Sequence, residues 1–311
     1  MKKMIFYMGV IGLILLSACG NNTINENTSE SSEITTEQQG TEDKEESESV
    51  DPSEQEEEES EKNNTQEEME TDQGVEQILR KSAEAMETLS GMKVNGTINQ
   101  TSDMGGTTEE TTTTLNGEYS VTTSTHHYLT TVESNLDPTE SIEMYISTEG
   151  MYLQPPEEES WLMMSANQGL SNMNLTLSSQ PDHFLEFKDL LDLSETADHY
   201  VFTITGSGDS FKQFLYGNTK SFMTEEEYQN FLAQFKNVSG KYQFNIAKDT
   251  YYLTSLNSEI EESVILGGIQ MDSTSSTSYE YSSFNEIEPV SIPDEIKNNA
   301  VSIQDQIQSA Q

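Results

Sequence analysis

One break in the chain decides most of what it can fold into. Residues 20–74 are built from Glu, Ser, Thr, Asn, Gln and Asp, with Ile24, Ile34, Val50 and Met69 as their only large apolar side chains. The stretch holds 20 acidic residues against two basic ones, Lys44 and Lys62, and includes the run Glu56-Glu57-Glu58-Glu59. Low hydrophobicity combined with high net charge cannot repay the entropy of ordering. Residues 19–74 are therefore expected to form a disordered acidic linker, stretched by its own repulsion and spanning roughly 40 Å or more as a random chain. Composition changes at Gly74-Val75, so a fold must be built from residues 75–311, a length ordinary for one α+β domain.

The charge balance excludes some functions. Across the chain 14 Lys and Arg face 56 Asp and Glu, a formal net charge of −42. Nucleic-acid binding needs a basic surface that neutralises phosphates, and this chain would be repelled. No window beyond the first 20 residues approaches the roughly 20 apolar residues that cross a bilayer as a helix. A single Cys forms neither an internal disulfide nor a Cys-based zinc site.

That Cys sits in a telling place. Met1-Lys2-Lys3 is a short basic segment, Met4 to Leu16 is apolar, and Leu16-Ser17-Ala18-Cys19 follows. The order resembles the bacterial lipobox rather than an ordinary Ala-x-Ala signal. The resemblance implies a lipoprotein signal peptide over 1–18, cleavage before Cys19, and a thioether-linked diacylglycerol (palmitate-type chains) on Cys19. It also implies localisation at the cell membrane, lipid-anchored on the extracytoplasmic face. Two or three acyl chains anchor stably, each buried methylene contributing about 0.8 kcal/mol.

Within 75–311 the pattern alternates between two periods. Val75, Ile78, Leu79, Met86 and Leu89 recur near 3.6 residues and predict an amphipathic helix that ends at Ser90-Gly91, with Gly91 as its C-cap. Strands are expected over Met92–Thr101, Thr111–Val121, His126–Leu136, Ser141–Thr148 and Met151–Gln154, divided by Gly105-Gly106, Asp137-Pro138 and Glu149-Gly150. Trp161-Leu162-Met163-Met164 follows. Helices are expected over Asp182–Leu193, Phe211–Tyr216 and Thr224–Phe235, the last opened by a Thr224/Glu227 capping box. Strands His199–Thr205, Gly240–Ala247, Tyr251–Glu261 and Met271–Phe284 complete the set, with Lys248-Asp249 as a turn and Asp294–Ser309 as a terminal helix. Grouped strands with segregated helices mean α+β. One large, curved antiparallel sheet is expected, its helices covering the concave face.

This order, with the segments Lys248–Leu256 and Tyr281–Glu295, resembles surface lipoproteins of unknown function from Gram-positive bacteria (DUF-type families). More remotely it is similar to the LolA/LppX-like lipoprotein carriers. The resemblance implies a half-barrel with helices as a lid over an apolar cavity that, in the carriers, takes acyl chains.

Candidate chemistry is sparse. His126 and His127 are neighbours in a predicted strand and so point to opposite faces. His183 and His199 with a carboxylate match no metal-binding spacing, and Gly206-Ser207-Gly208 lacks the Lys-Ser/Thr of a phosphate loop. No catalytic residues, metal or cofactor are therefore expected, and the chain is not expected to be an enzyme. Large apolar residues are the remaining signal. Trp161, Met163, Met164, Phe184, Phe187 and Phe231 are the expected ligand-binding residues, since pockets are mostly apolar and Met adapts to its guest. The function expected is a membrane-anchored protein binding a lipid or other apolar ligand. The alternative is a cell-envelope protein-interaction or stress-sensing module with a filled core and no small-molecule ligand.

Overall fold

A computed structural model describes residues 74–156, 158, 160–165, 180–266 and 268–303. Cys19, the signal segment and the acidic linker lie outside the described residues. Helix α1 covers 74–87 and buries Val75, Ile78, Leu79, Ser82, Ala83 and Met86, one stripe at helical spacing. It stops short of Gly91, which opens the first strand instead of capping the helix. A Cβ at Gly91 would lie 2.7 Å from the Tyr119 carbonyl oxygen, so the position needs Gly for close approach rather than for a left-handed turn.

Among the described residues, twelve strands form one curved, open sheet. Strands β1 (Gly91–Met104), β2 (Thr107–Ser120), β3 (Thr125–Ser134), β4 (Glu140–Ser147), β5 (Gly150–Gln154) and β6 (Leu162–Ser165) meander outward from β1. Strands β7 (Asp192–Glu195), β8 (His199–Ser207), β9 (Phe235–Ala247), β10 (Leu253–Leu266) and β11 (Ile269–Ser282) meander inward from the opposite edge. The halves meet where β1 pairs with β11, from Lys93↔Ser282 to Met104↔Met271. All pairings are antiparallel except the last, where β12 (Val301–Ser302) runs parallel to β6. The β1–β2 turn is Gly105-Gly106, with φ of +63° and +85° at its two residues, the two-residue hairpin geometry that favours Gly. Because that turn is tight, β2 begins at Thr107, four residues before the expected start.

Three further described helices sit between β6 and β9. They are α2 (Gln180–Glu186), α3 (Gly208–Tyr216) and α4 (Glu225–Leu232), with 3-10 turns at Lys188–Leu190 and Gly217–Phe222. The α4 cap forms as the sequence predicts. The Glu227 amide donates to the Thr224 hydroxyl oxygen at 3.3 Å, and the Thr224 amide donates to the Glu227 carboxylate at 2.8 Å. Helix α5 (Asp294–Asn299) is short.

Three expected helices are cut back. The stripe over Asp182–Leu193 ends as a helix at Glu186, and Asp192–Glu195 turns into β7, hydrogen-bonded to β8. A short apolar run fits either period, and here an unpaired edge of β8 takes it as a strand. Phe235 belongs to β9, not to the end of α4. Beyond α5 the chain becomes extended at Ala300, and the Val301 amide donates to the Trp161 carbonyl at 2.8 Å. The expected terminal helix therefore ends at Asn299, and its continuation past residue 303 lies outside the described residues.

Alternation splits the sheet into two faces. The inner face carries the large cluster that α1 to α4 join: Phe184 of α2 stacks on Phe244 of β9 at 3.9 Å, and Phe214 of α3 meets Tyr242 edge-on at 5.0 Å. Two glycines make room on this face for cross-strand rings. A Cβ at Gly96 would lie 2.3 Å from the Tyr279 ring, and one at Gly117 equally close to Tyr128. The outer face carries a separate small cluster of Tyr145, Tyr152, Val290 and Ile292, with Trp161, Met163, Ile287, Ile296 and Ala300 packed against it. The segment after β11 thus crosses behind the sheet and covers β4 to β6.

Candidate functional site

The candidate site is a half-open cavity of about 290 Å³ between α2–α4 and the sheet. The helices supply its roof: Phe184 from α2, Phe214, Leu215 and Tyr216 from α3, Phe231 from α4, and Phe235 where β9 begins. Its floor comes from β1, β11, β10 and β9. Because inward residues recur every second position, three rows cross the floor in register: Ile98–Thr277–Ser258–Tyr242, Gln100–Ser275–Ile260, and Tyr279 beside Leu256. Apolar, hydroxyl and amide side chains are mixed there. Two other grooves are larger, at about 480 and 410 Å³, but they are more open and lined almost wholly by polar residues, and the second shares Gln100 and Ser275 with the cavity floor.

Glu262 of β10 marks one end of the floor. It accepts a short hydrogen bond from the Tyr216 hydroxyl and one from the Ser273 hydroxyl at 3.1 Å. Burial, and then the neighbouring Glu262 charge, raise the Tyr216 hydroxyl far above the usual phenol range. That phenol therefore stays a donor at every physiological pH.

His183 is part of the roof. Its Nε2–H donates to the Phe214 carbonyl at 2.9 Å, and its ring stacks on Phe214 and meets Phe187 edge-on. Burial lowers its pKa to about 4, against the opposing pull of that carbonyl. It is a neutral aromatic wall element. His199 lies in β8, paired with Ala247, and His183 is held by α3. Among the described residues no three His, Cys, Asp or Glu side chains gather into a metal-binding group. His126 and His127 do diverge: His126 shares a 2.8 Å hydrogen bond with Tyr128 in the inner cluster, and His127 bonds Glu143 at 2.8 Å on the outer face.

The six residues expected to bind ligand are not brought together. Phe184 and Phe231 line the cavity. Phe187 and Met164 pack against the inner cluster beside it. Trp161 and Met163 lie on the other face, in the patch under the C-terminal segment, with Trp161 5.7 Å from the Tyr145 ring. The physical reason is pleat alternation: β6 sends Leu162 and Met164 inward and Met163 outward, so four adjacent apolar residues cannot share one pocket. Sequence reasoning missed most of the floor. Ser258, Ile260 and Glu262 fall in a Ser- and Glu-rich run that reads as a solvated strand, and only the two-residue spacing Leu256, Ser258, Ile260, Glu262, Val264 hints at an inward face. Gly206 and Ser207 end β8 and Gly208 opens α3 at φ +74°, a strand-to-helix turn.

No described helix is long and apolar enough to cross a membrane. A family model described as a family of unknown function (DUF6612) matches residues 74–301. No curated protein matches the sequence. Among solved structures, the fold is similar to that of LprF from Mycobacterium bovis, at 10% identity over 71% of this chain and 96% of that one, with a TM-score of 0.36. It is also similar to a putative outer membrane lipoprotein-sorting protein domain from Vibrio parahaemolyticus, at 11% identity over 71% and 95% of the two chains and a TM-score of 0.27. A DUF1329 family protein from Desulfovibrio piger is similar at 12% identity over 70% and 94%, with a TM-score of 0.24.

Proposed function

We propose that this chain, which belongs to the DUF6612 family of unknown function, is a lipid-anchored extracytoplasmic protein whose domain binds an apolar or amphiphilic ligand without transforming it. The observation that carries this is the cavity of about 290 Å³ under α2–α4, close to the lower bound of about 300 Å³ for small-molecule sites. A packed core leaves few voids larger than a water molecule. Rings and aliphatic side chains form the roof, and the hydroxyls of the floor give orientation more than chemistry. Cys19 supplies the anchor, and residues 19–74 serve as the tether between membrane and domain.

Two experiments test this. Native mass spectrometry of the chain from residue 19, carrying Cys19→Ser and incubated with lipid extracted from a bacterial membrane, should show a retained mass of lipid size. A clean apo mass would sink the ligand-binding function in favour of an interaction module. Separately, Cys19→Ser expressed with its signal should move the protein from the membrane fraction to the medium. Retention in the membrane would refute the lipid anchor.

A further inference from the structure

We infer that the cavity selects an amphiphile with a cationic ammonium head and an apolar tail, the head seated at Glu262. The inference rests on the ligand-binding function proposed above and names its ligand class. Among the described residues, Glu262 is the only acidic side chain lining the cavity. Both Glu262 carboxylate oxygens accept from hydroxyls, those of Tyr216 and Ser273. Hydroxyls orient a carboxylate but do not neutralise it. Among the described residues no lysine, arginine or histidine forms an ion pair with Glu262; the lysine on α3, Lys212, is engaged by Asp209 at 3.0 Å and the Phe235 carbonyl at 3.1 Å. A half-buried charge without a counter-ion is costly unless something pairs with it.

The rings around it complete the argument. Tyr216 stacks on Phe235 at 4.4 Å, Phe231 meets Tyr216 edge-on at 5.7 Å, and Phe231 meets Phe235 at 5.1 Å. The three rings pack against one another beside the carboxylate, so this end of the cavity offers aromatic surface and a negative charge together. Aromatic surface next to a carboxylate favours an ammonium group. An anionic head would meet repulsion from the carboxylate. The tail has room in the other direction. From Glu262 to Leu256 the floor runs six residues along β10, about 20 Å at roughly 3.3 Å per residue, past Ile260, Ile98 and Phe184. The head end is the wetter one: burial along β1 and β11 falls away toward Met104 and Ile269, which are 52% and 53% exposed. The ligand would enter tail first and leave its charge near the mouth.

The test uses the chain from residue 19 with Cys19→Ser, which keeps every described residue. Nile red bound in the cavity is displaced by dodecylamine, dodecanol or dodecanoate, each below its aggregation concentration at pH 7 and 150 mM salt. Salt at that level screens the general attraction of an acidic protein for cations beyond about 8 Å. Dodecylamine is expected to bind at least tenfold more tightly than the other two. Glu262→Gln should erase that preference, whereas Glu259→Gln, which removes the same charge from the outer side of the same strand, should keep it. Equal affinity for all three probes in the unmodified chain would overturn the head-group selection and leave apolar binding standing. So would a preference that survives Glu262→Gln. Failure of all three probes to displace the dye would overturn both.

Discussion

The sheet has two aromatic patches, and one is hollow while the other is full. On the inner face, Phe184, Phe214, Phe231, Phe235 and Tyr242 stand around open space. On the outer face, Tyr145, Tyr152, Trp161 and Met163 are covered by Val290, Ile292 and their neighbours from the chain's own C-terminal segment. The difference lies in what covers each patch. The outer one receives an extended segment whose side chains insert directly. The inner one receives helices, which hold rings at its rim and span the middle. Apolar content alone therefore does not make a site; a roof that cannot collapse onto its floor does.

The largest expected effect tests whether the hollow has a solid wall. Phe244 is fully buried behind it, sandwiched by Phe184 at 3.9 Å and Phe202 at 4.9 Å. Phe244→Ala should cost about 3–5 kcal/mol, as large-to-small changes in packed cores do. Urea unfolding followed by circular dichroism measures it. A loss under about 1 kcal/mol would mean that the inner face is loose throughout and the cavity no special feature of it.

Acid should weaken the inner face. Burial lowers His126 to about 3 and His183 to about 4, both from 6.5. The unfolded chain takes up these protons first, so the stability they represent is whole above pH 6.5. It falls as pH drops through the window down to about 4 for His183 and about 3 for His126. At pH 5 each should have cost about 2 kcal/mol, at 1.36 kcal/mol per unit. His183→Phe should lose less stability than the parent between pH 7 and pH 5. Parallel curves for the two would mean that burying His183 carries no such cost.

The sequence revealed elements better than faces. The α4 capping box, the α1 stripe and most strands are local signals, and they formed where hydrogen-bonding chemistry and period placed them. The edge strand β7 was illegible because Leu191 and Leu193 fit a helix as well as a strand, and the free edge of β8 decided between them. The cavity residues were half legible for a related reason. Phe184 and Phe231 stand out as large apolar residues on helices, but Glu262, Ser258 and Thr277 look like solvent-facing strand positions until register sets them under a roof. Trp161-Leu162-Met163-Met164 is the clearest case: composition groups four residues that the pleat divides between two faces.

That division gives a matched pair of substitutions of intermediate size. Trp161→Ala removes a half-buried ring from the filled patch, and should cost about 1–3 kcal/mol, below the range for a fully buried ring, without changing the affinity for a cavity ligand. Phe231→Ala removes a half-buried ring from the hollow, and should weaken ligand binding more than it weakens the fold. Thermal melts and dye displacement on both variants give the four numbers. If Trp161→Ala lost the ligand and Phe231→Ala did not, the assignment of the site to the inner face would be reversed.

The smallest expected change in stability is the most demanding test, because it adds atoms instead of removing them. Ser258 lies mid-floor, in register with Thr277 on one side and Tyr242 on the other, and faces the cavity. Extra carbons forced into a packed core cost about 1–3 kcal/mol, because neighbours must leave their rotamers. In a hollow they meet no neighbour and instead gain buried apolar surface. Ser258→Leu should therefore leave the urea midpoint within about 0.5 kcal/mol of the parent, by the same standard that applies to substitutions away from packed features. It should also abolish dye binding by occupying the space. A cost above about 2 kcal/mol would mean that helices and sheet already touch there, and the hollow and filled patches would be the same kind of structure. An unchanged fold that still bound the dye would place the ligand elsewhere, and would leave the aromatic roof as packing alone.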